Sequence, residues 1–349
     1  MMHTYQDIAI PIAWPDQTAR GDELWFKILK GLGIVKNLNF RIGHAAILLI
    51  ERQSGQIKYF DFGRYICPRG HGRARSAAFD PRLKVETVAQ FSNTKQLINL
   101  AEILAELSMM EEATHGGGRL LCSVSKDISF QKAAAYAEAL VNKGPVLYGA
   151  LAANNNSCSR YVAQILVEGM MKDDKRISKI LYPESLKASP TSNVVNANTE
   201  GTLYCYANQQ VEQWKMSRKE SLKFQIKQLS DNFSNKRSKD LPGDTKLGLL
   251  DEPMRPMHIP SHATWLGGIG EGCWYALSAE ADQYEITKYN YKGAVDYIVA
   301  VDPIGKFDHS ANFEFTYDIH YRQHIIKQIN QNISFLTKEM HNKQIKQSI

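Results

Sequence analysis

Ala153-Asn-Asn-Asn-Ser-Cys158-Ser-Arg-Tyr-Val-Ala-Gln-Ile-Leu166 is the stretch on which the fold turns. A polar, turn-prone run stops abruptly, and Tyr161, Val162, Ile165 and Leu166 then recur at helical spacing. Asn156 or Ser157 suits the N-cap, which puts Cys158 in the first turn. The helix end carries partial positive charge and unpaired N–H groups, and both favour thiolate over thiol. Such a cysteine needs a base. The candidate lies upstream, at His44 in Arg41-Ile-Gly-His44-Ala-Ala-Ile-Leu-Leu-Ile50.

Residues 41–50 give the clearest strand signal in the chain, apolar on both faces and therefore expected in the middle of a sheet. His44 interrupts that run, as a core histidine or as a working one. After a turn at Gln53-Ser-Gly-Gln56, Ile57-Lys-Tyr-Phe-Asp-Phe-Gly-Arg-Tyr65 should return as the hairpin partner. Asp61, between Phe60 and Phe62, needs a partner if half-buried. A tight turn on Ser54-Gly55 would set Tyr65 opposite His44 and leave Asp61 roughly 13 Å along the strand. A three-residue loop would put Arg64 opposite His44 and turn Asp61 to the other face. A longer or asymmetric loop, or a bulge, brings Asp61 to the ring.

The chain has 349 residues, 44% of them hydrophobic, enough for a sizeable core and two domains. A net charge of +6 is too modest to argue for nucleic acid, and no nucleic-acid motif is present. Cys67, Cys122, Cys158, Cys205 and Cys273 form no C-x-x-C pair, which favours free thiols over a disulfide framework or zinc site. No signal peptide and no apolar run of membrane-spanning length is read, so a cytoplasmic setting is expected. The glycine-rich Trp265-Leu-Gly-Gly-Ile-Gly-Glu-Gly272 lacks the Lys-Ser/Thr of a nucleotide loop. No cofactor or metal is expected.

Elsewhere, Asp7-Ile-Ala-Ile-Pro-Ile-Ala-Trp14 reads as a strand, placed by Pro11 at an edge or bulge. Residues 21–31, 93–112 and 129–142 read as helices, the second broken by His115-Gly-Gly-Gly118. The Gly- and Pro-punctuated loop at 66–83 is basic. Arg64, Arg69, Arg73, Arg75 and Arg82 could gather there around an anionic group, carboxylate or phosphate, or form local ion pairs with Asp80 and its neighbours. Residues 201–254 are expected as a polar linker or helical region. Residues 255–349 are expected as a β-rich segment closed by an amphipathic tail helix from Tyr321 to Lys346, a surface for a protein partner.

Gly43-His44-Ala-Ala-Ile-Leu-Leu, the strand Tyr59-Phe-Asp61, and Asn156-Ser-Cys158-Ser-Arg-Tyr-Val together resemble the circularly permuted papain-like cysteine hydrolases of the NlpC type. In unpermuted members the cysteine helix precedes the histidine strand; here His44 comes first. The resemblance covers about residues 5–200, and residues 1–200 are expected as the catalytic domain. It implies an α+β fold, a central antiparallel sheet flanked by helices, with Cys158 as nucleophile, His44 as base and a third residue, Asp61 or Tyr65, steering the imidazole. It also implies an acyl-thioester intermediate, and hence an amidase or peptidase. Its substrate would be a small peptide, anionic or peptidoglycan-like, with Tyr65, Asn156 and the loop arginines in the binding site. An acyltransferase acting on a lipid or protein acceptor and an inactive binding module are the alternatives.

Overall fold

The computed structural model describes residues 4–22, 24–149, 154–280 and 283–338. They form a mixed α+β chain with antiparallel sheets, divided into two compact units. One unit comprises Met1–Phe62, Leu83–Ala139 and Gly149–Lys246; the other comprises Gly63–Arg82, Leu140–Tyr148 and Leu247–Ile349. The second unit thus draws in two stretches from the middle of the chain.

The sheet of the first unit contains β1 (Asp7–Trp14), β2 (His44–Ile50), β3 (Ile57–Gly63), β4 (Leu120–Cys122), β5 (Ser125–Ile128), β6 (Thr202–Ala207) and β7 (Gln210–Lys215). Their order is β7-β6-β4-β1-β2-β3, with β5 also on β1. Every residue of β2 is buried, as a run apolar on both faces requires. One face carries Ile8, Ile10, Ile12, Trp14, Ala46, Leu48, Ile50 and Tyr59 against α1 (Leu100–Met109). The other packs Ala13 and Leu121 under Val194 and Val195 of the short helix Pro190–Asn196. On that second face Tyr161 of α2 (Cys158–Gly169) meets Phe62.

Three expectations are corrected. β1 is a central strand, not an edge: Pro11 pairs with Ile47 on β2 and falls between the stretches of β1 that bond β5 and β4. Its missing N–H therefore coincides with a break in the ladder. Within 201–254 the linker half of the expectation is corrected for residues 201–229, while the helical half stands. Two of their segments, β6 and β7, extend this sheet, and the helix Arg218–Leu229 begins with a Ser217/Glu220 capping box.

The third correction concerns the tail. The second unit holds an antiparallel sheet of β8 (Thr264–Leu266), β9 (Cys273–Glu280), β10 (Gln283–Asn290), β11 (Val295–Ile304), β12 (Phe313–His320), β13 (Gln323–Gln328) and β14 (Gln331–Thr337). Its order is β8-β9-β10-β11-β14-β13-β12. Residues 323–337 are a β-hairpin rather than the expected amphipathic helix; residues 339–346 of that expectation lie outside the described residues. Ile326 and Ile333 pair across the hairpin, both buried, and the isoleucines that mimic helical spacing instead serve a two-residue alternation.

Candidate active site

A four-residue loop, 52–55, joins β2 to β3. It is closed by Glu51 N–H donating to the Gln56 carbonyl (2.9 Å) and Gly55 N–H donating to the Glu51 carbonyl (2.8 Å). This longer connection sets Ile50 opposite Ile57 and Ala46 opposite Asp61. Asp61 therefore lies on the face of His44, one diagonal step away, and Asp61 Oδ2 is 3.3 Å from His44 Nε2. Tyr59, two residues back on the same face, donates its hydroxyl to the same oxygen at 2.9 Å. Asp61 is fully buried; His44 keeps 9% exposure. The rival steering residue, Tyr65, lies past the end of β3, its ring covered by the Arg75 guanidinium at 3.6 Å.

Cys158 is the first residue of α2. The Ser157 side chain caps the helix by accepting from Arg160 N–H at 3.3 Å. Asn193 donates to the Ser159 carbonyl at 2.8 Å and fixes the first turn from the neighbouring helix. Among the described residues, the N–H groups of Cys158 and Ser159 bond to no acceptor, as expected at a helix start. The thiol is partly exposed, hydrogen-bonds His44 and accepts from the Ala45 N–H. Burial alone would push the thiol up; the His44 hydrogen bond and charge, with the Ala45 N–H, hold it below its ordinary value. Burial likewise works against a charged imidazole, but the bonds and charges of Asp61 and Cys158 raise His44 from 6.5 to about 9. Both shifts run in the direction that favours the charged form of each group. The ring nitrogen that meets Asp61 is Nε2.

Residues 9–175 match the family model of type VI secretion system effectors, TseH-like. Residues 263–338 match the model of the DUF6695 C-terminal domain. The crystal structure of the type VI secretion system effector TseH is similar over 60% of this chain and 99% of that one, with 16% identity and a TM-score of 0.41. No curated protein sequence matches.

Within residues 9–175, sequence alone misses two contributors. Trp14, opposite His44 across the ladder, stacks on the imidazole with ring centres 5.7 Å apart and planes within 10°. Gly116 explains the interruption at 115–118: a Cβ there would lie 2.6 Å from Trp14 Cε2, so only glycine admits the indole. Gly43 has φ +77°, which a residue with a Cβ rarely adopts, and lets the chain turn directly into His44.

The proposed binding residues fare differently. Asn156 is spent on the loop, accepting from Ser157 N–H and donating to Gln164. Arg73 and Arg75 are 1% and 0% exposed. Arg73 donates to the Tyr317 carbonyl (2.6 Å) and lies over Phe79; Arg75 pairs with Glu271 at 3.5 Å. Arg64 is buried with its guanidinium over Tyr148, and Arg69 is exposed. Arg75 belongs to an internal ionic cluster. In it Lys288 reaches Asp80, Glu271 and Asp296 at 3.1, 3.2 and 3.0 Å, and Arg82 bridges the same three carboxylates. A cleft of about 540 Å³ in the first unit, lined by Ile8, Lys95, Asp174 and Tyr204 among others, includes none of these site residues. Among the described residues no helix is long and apolar enough to cross a membrane.

Proposed function

We propose that this chain is a thiol-dependent amidase or peptidase of permuted papain-like architecture, with Cys158, His44 and Asp61 as its working groups. The observation that carries the proposal is His44 bonded on one side to Asp61 and on the other to a helix-start cysteine. The match of residues 9–175 to TseH-like type VI secretion effectors supports a role as an exported effector rather than the cytoplasmic setting.

In this reaction the Cys158 thiolate attacks an amide carbonyl. The free N–H groups of Cys158 and Ser159 receive the developing oxyanion, aided by the helix end. His44 gives its proton to the departing amine, then takes one from the water that hydrolyses the thioester. Asp61 holds the ring in place and offsets the imidazolium charge. Trp14 covers one ring face and limits its rotation. The substrate is a small peptide, with water or an acceptor amine resolving the thioester; the buried arginines supply no carboxylate clamp.

The test is mass spectrometry of the full chain after treatment with a panel of acyl-type activity probes. A covalent adduct on Cys158 that disappears in His44→Ala is expected. Labelling spread over the other cysteines, or indifferent to His44, would overturn the proposal.

A further inference from the structure

We infer that Tyr59 is a positioning residue of this site, locking the Asp61 carboxylate in the one orientation that serves His44. The inference rests on the reading of Cys158, His44 and Asp61 as one working unit.

Tyr59 and Asp61 alternate on one face of β3, opposite Leu48 and Ala46, so their side chains stand in a row leading to His44. The phenol donates to Asp61 Oδ2 at 2.9 Å, the oxygen that meets His44 Nε2 at 3.3 Å. Two donors thus converge on a single oxygen of a carboxylate that no solvent reaches. A carboxylate in that position is stable as an anion only where donors face it. Its χ2 torsion is soft, and a fixed donor pins it. Tyr59 is itself 2% exposed and packed with Ile57, Leu48 and their neighbours, so its hydroxyl is rigidly aimed. Other titratable groups also sense this centre. Cys158 faces His44 from α2. Tyr161, on the same helix, has its phenol pushed well above the usual range, first by burial and then by the charge of Asp61, with a smaller contribution from Glu138. Tyr59 differs from these in donating directly to the oxygen in question.

Without the phenol, Asp61 either rotates away or protonates more readily. In both cases the imidazolium loses its counter-charge and the thiolate loses its partner. The experiment follows the rate of iodoacetamide alkylation of Cys158 against pH, read by mass spectrometry of the Cys158 peptide in the full chain. Tyr59→Phe keeps the ring and its packing. At pH 6 it is expected to react about tenfold more slowly than wild type, the size of one hydrogen bond to a charged group. Near pH 9.5, where the thiol ionises unaided, the two should agree. In an Asp61→Asn background the same substitution should change nothing further.

An unchanged profile for Tyr59→Phe, or an effect that persists with Asp61→Asn, would overturn the inference. A purely structural tyrosine would lower the melting temperature and leave the pH profile where it was. Tyr59→Leu, measured alongside, carries the same expectation for the acid side and guards against an idiosyncrasy of one replacement. Failure of the underlying reading looks different: wild-type Cys158 itself would then titrate as an ordinary thiol.

Discussion

Removing the imidazole gives the sharpest prediction. In the folded chain His44 is raised from 6.5 to about 9, which corresponds to about 3 kcal/mol of preference for the charged ring. That preference comes from Asp61 and Cys158 and exceeds the opposing effect of burial. The sign for His44 is that of a raised base: its stabilisation is complete below 6.5 and is lost as pH rises through about 9. Below that pH the thiolate keeps a cationic partner. In His44→Ala only burial, which pushes the thiol up, and the weaker Ser159 and Ala45 contacts remain. A thiol at its ordinary 9.0 is about one part in a thousand thiolate at pH 6, and that fraction falls tenfold per pH unit. Between pH 8 and pH 6, alkylation of Cys158 in His44→Ala should slow by about 100-fold. Wild type should slow by far less, even though a more acidic thiolate is intrinsically a weaker nucleophile. The assay is the second-order rate with iodoacetamide at half-unit pH steps, with Cys122 in the same digest as a buried control. A wild-type slope of tenfold per unit over that range would refute the ion pair, and with it the nucleophile.

Four further outcomes are expected. Asp61→Asn keeps shape but loses charge; acyl-probe labelling of Cys158 should fall by about 10²-fold or more, and undiminished labelling would remove Asp61 from the site. Gly116→Ala forces a methyl to within 2.6 Å of the Trp14 indole, so the protein should lose about 1–3 kcal/mol in urea unfolding and label more slowly; wild-type behaviour in both measurements would show that the indole is not needed over His44. Lys288→Met strands Asp80, Glu271 and Asp296 in the second unit and should cost about 3–5 kcal/mol; a stabilised variant would contradict the balance of three cations against three carboxylates. In that cluster burial raises Asp80 but Lys288 and Arg82 overcome it, so its carboxyl sits below the ordinary 3.8. Its contribution is therefore present above that value and fades as pH falls below it, which an acid titration of unfolding in wild type and Asp80→Asn should resolve.

Cys158 and His44, which folding brings together, were legible as candidates because each rests on local chemistry: a capped helix start for Cys158, a polar residue breaking an apolar strand for His44. Asp61 was legible only as a candidate, because a hairpin's register depends on how many residues its loop consumes. A connection of 52–55, two residues longer than a tight turn, moves Asp61 from four positions away to a diagonal neighbour. Trp14 and Gly116 left no readable signal, since their roles arise from the pairing of strands and the packing of a distant turn against an indole. The C-terminal isoleucines illustrate a periodicity that fits two structures: Ile325, Ile326, Ile329 and Ile333 satisfy helical spacing, yet a turn at Ile329, with φ +55°, folds them into a hairpin. For the loop arginines sequence left two readings open, and the ion-pair reading holds for Arg82 with Asp80. Sequence records their charge but not their neighbours, and Asp80, Glu271 and Asp296 come from three separated stretches that folding gathers around Lys288 and Arg82. Arg75 sits at the edge of this cluster, fully buried and paired with Glu271 at 3.5 Å. Arg75→Ala should therefore lower the stability of the second unit while leaving the preference between anionic and neutral substrates where it was. A selective loss on anionic substrates, at unchanged stability, would return Arg75 to the binding site and require Glu271 to release it.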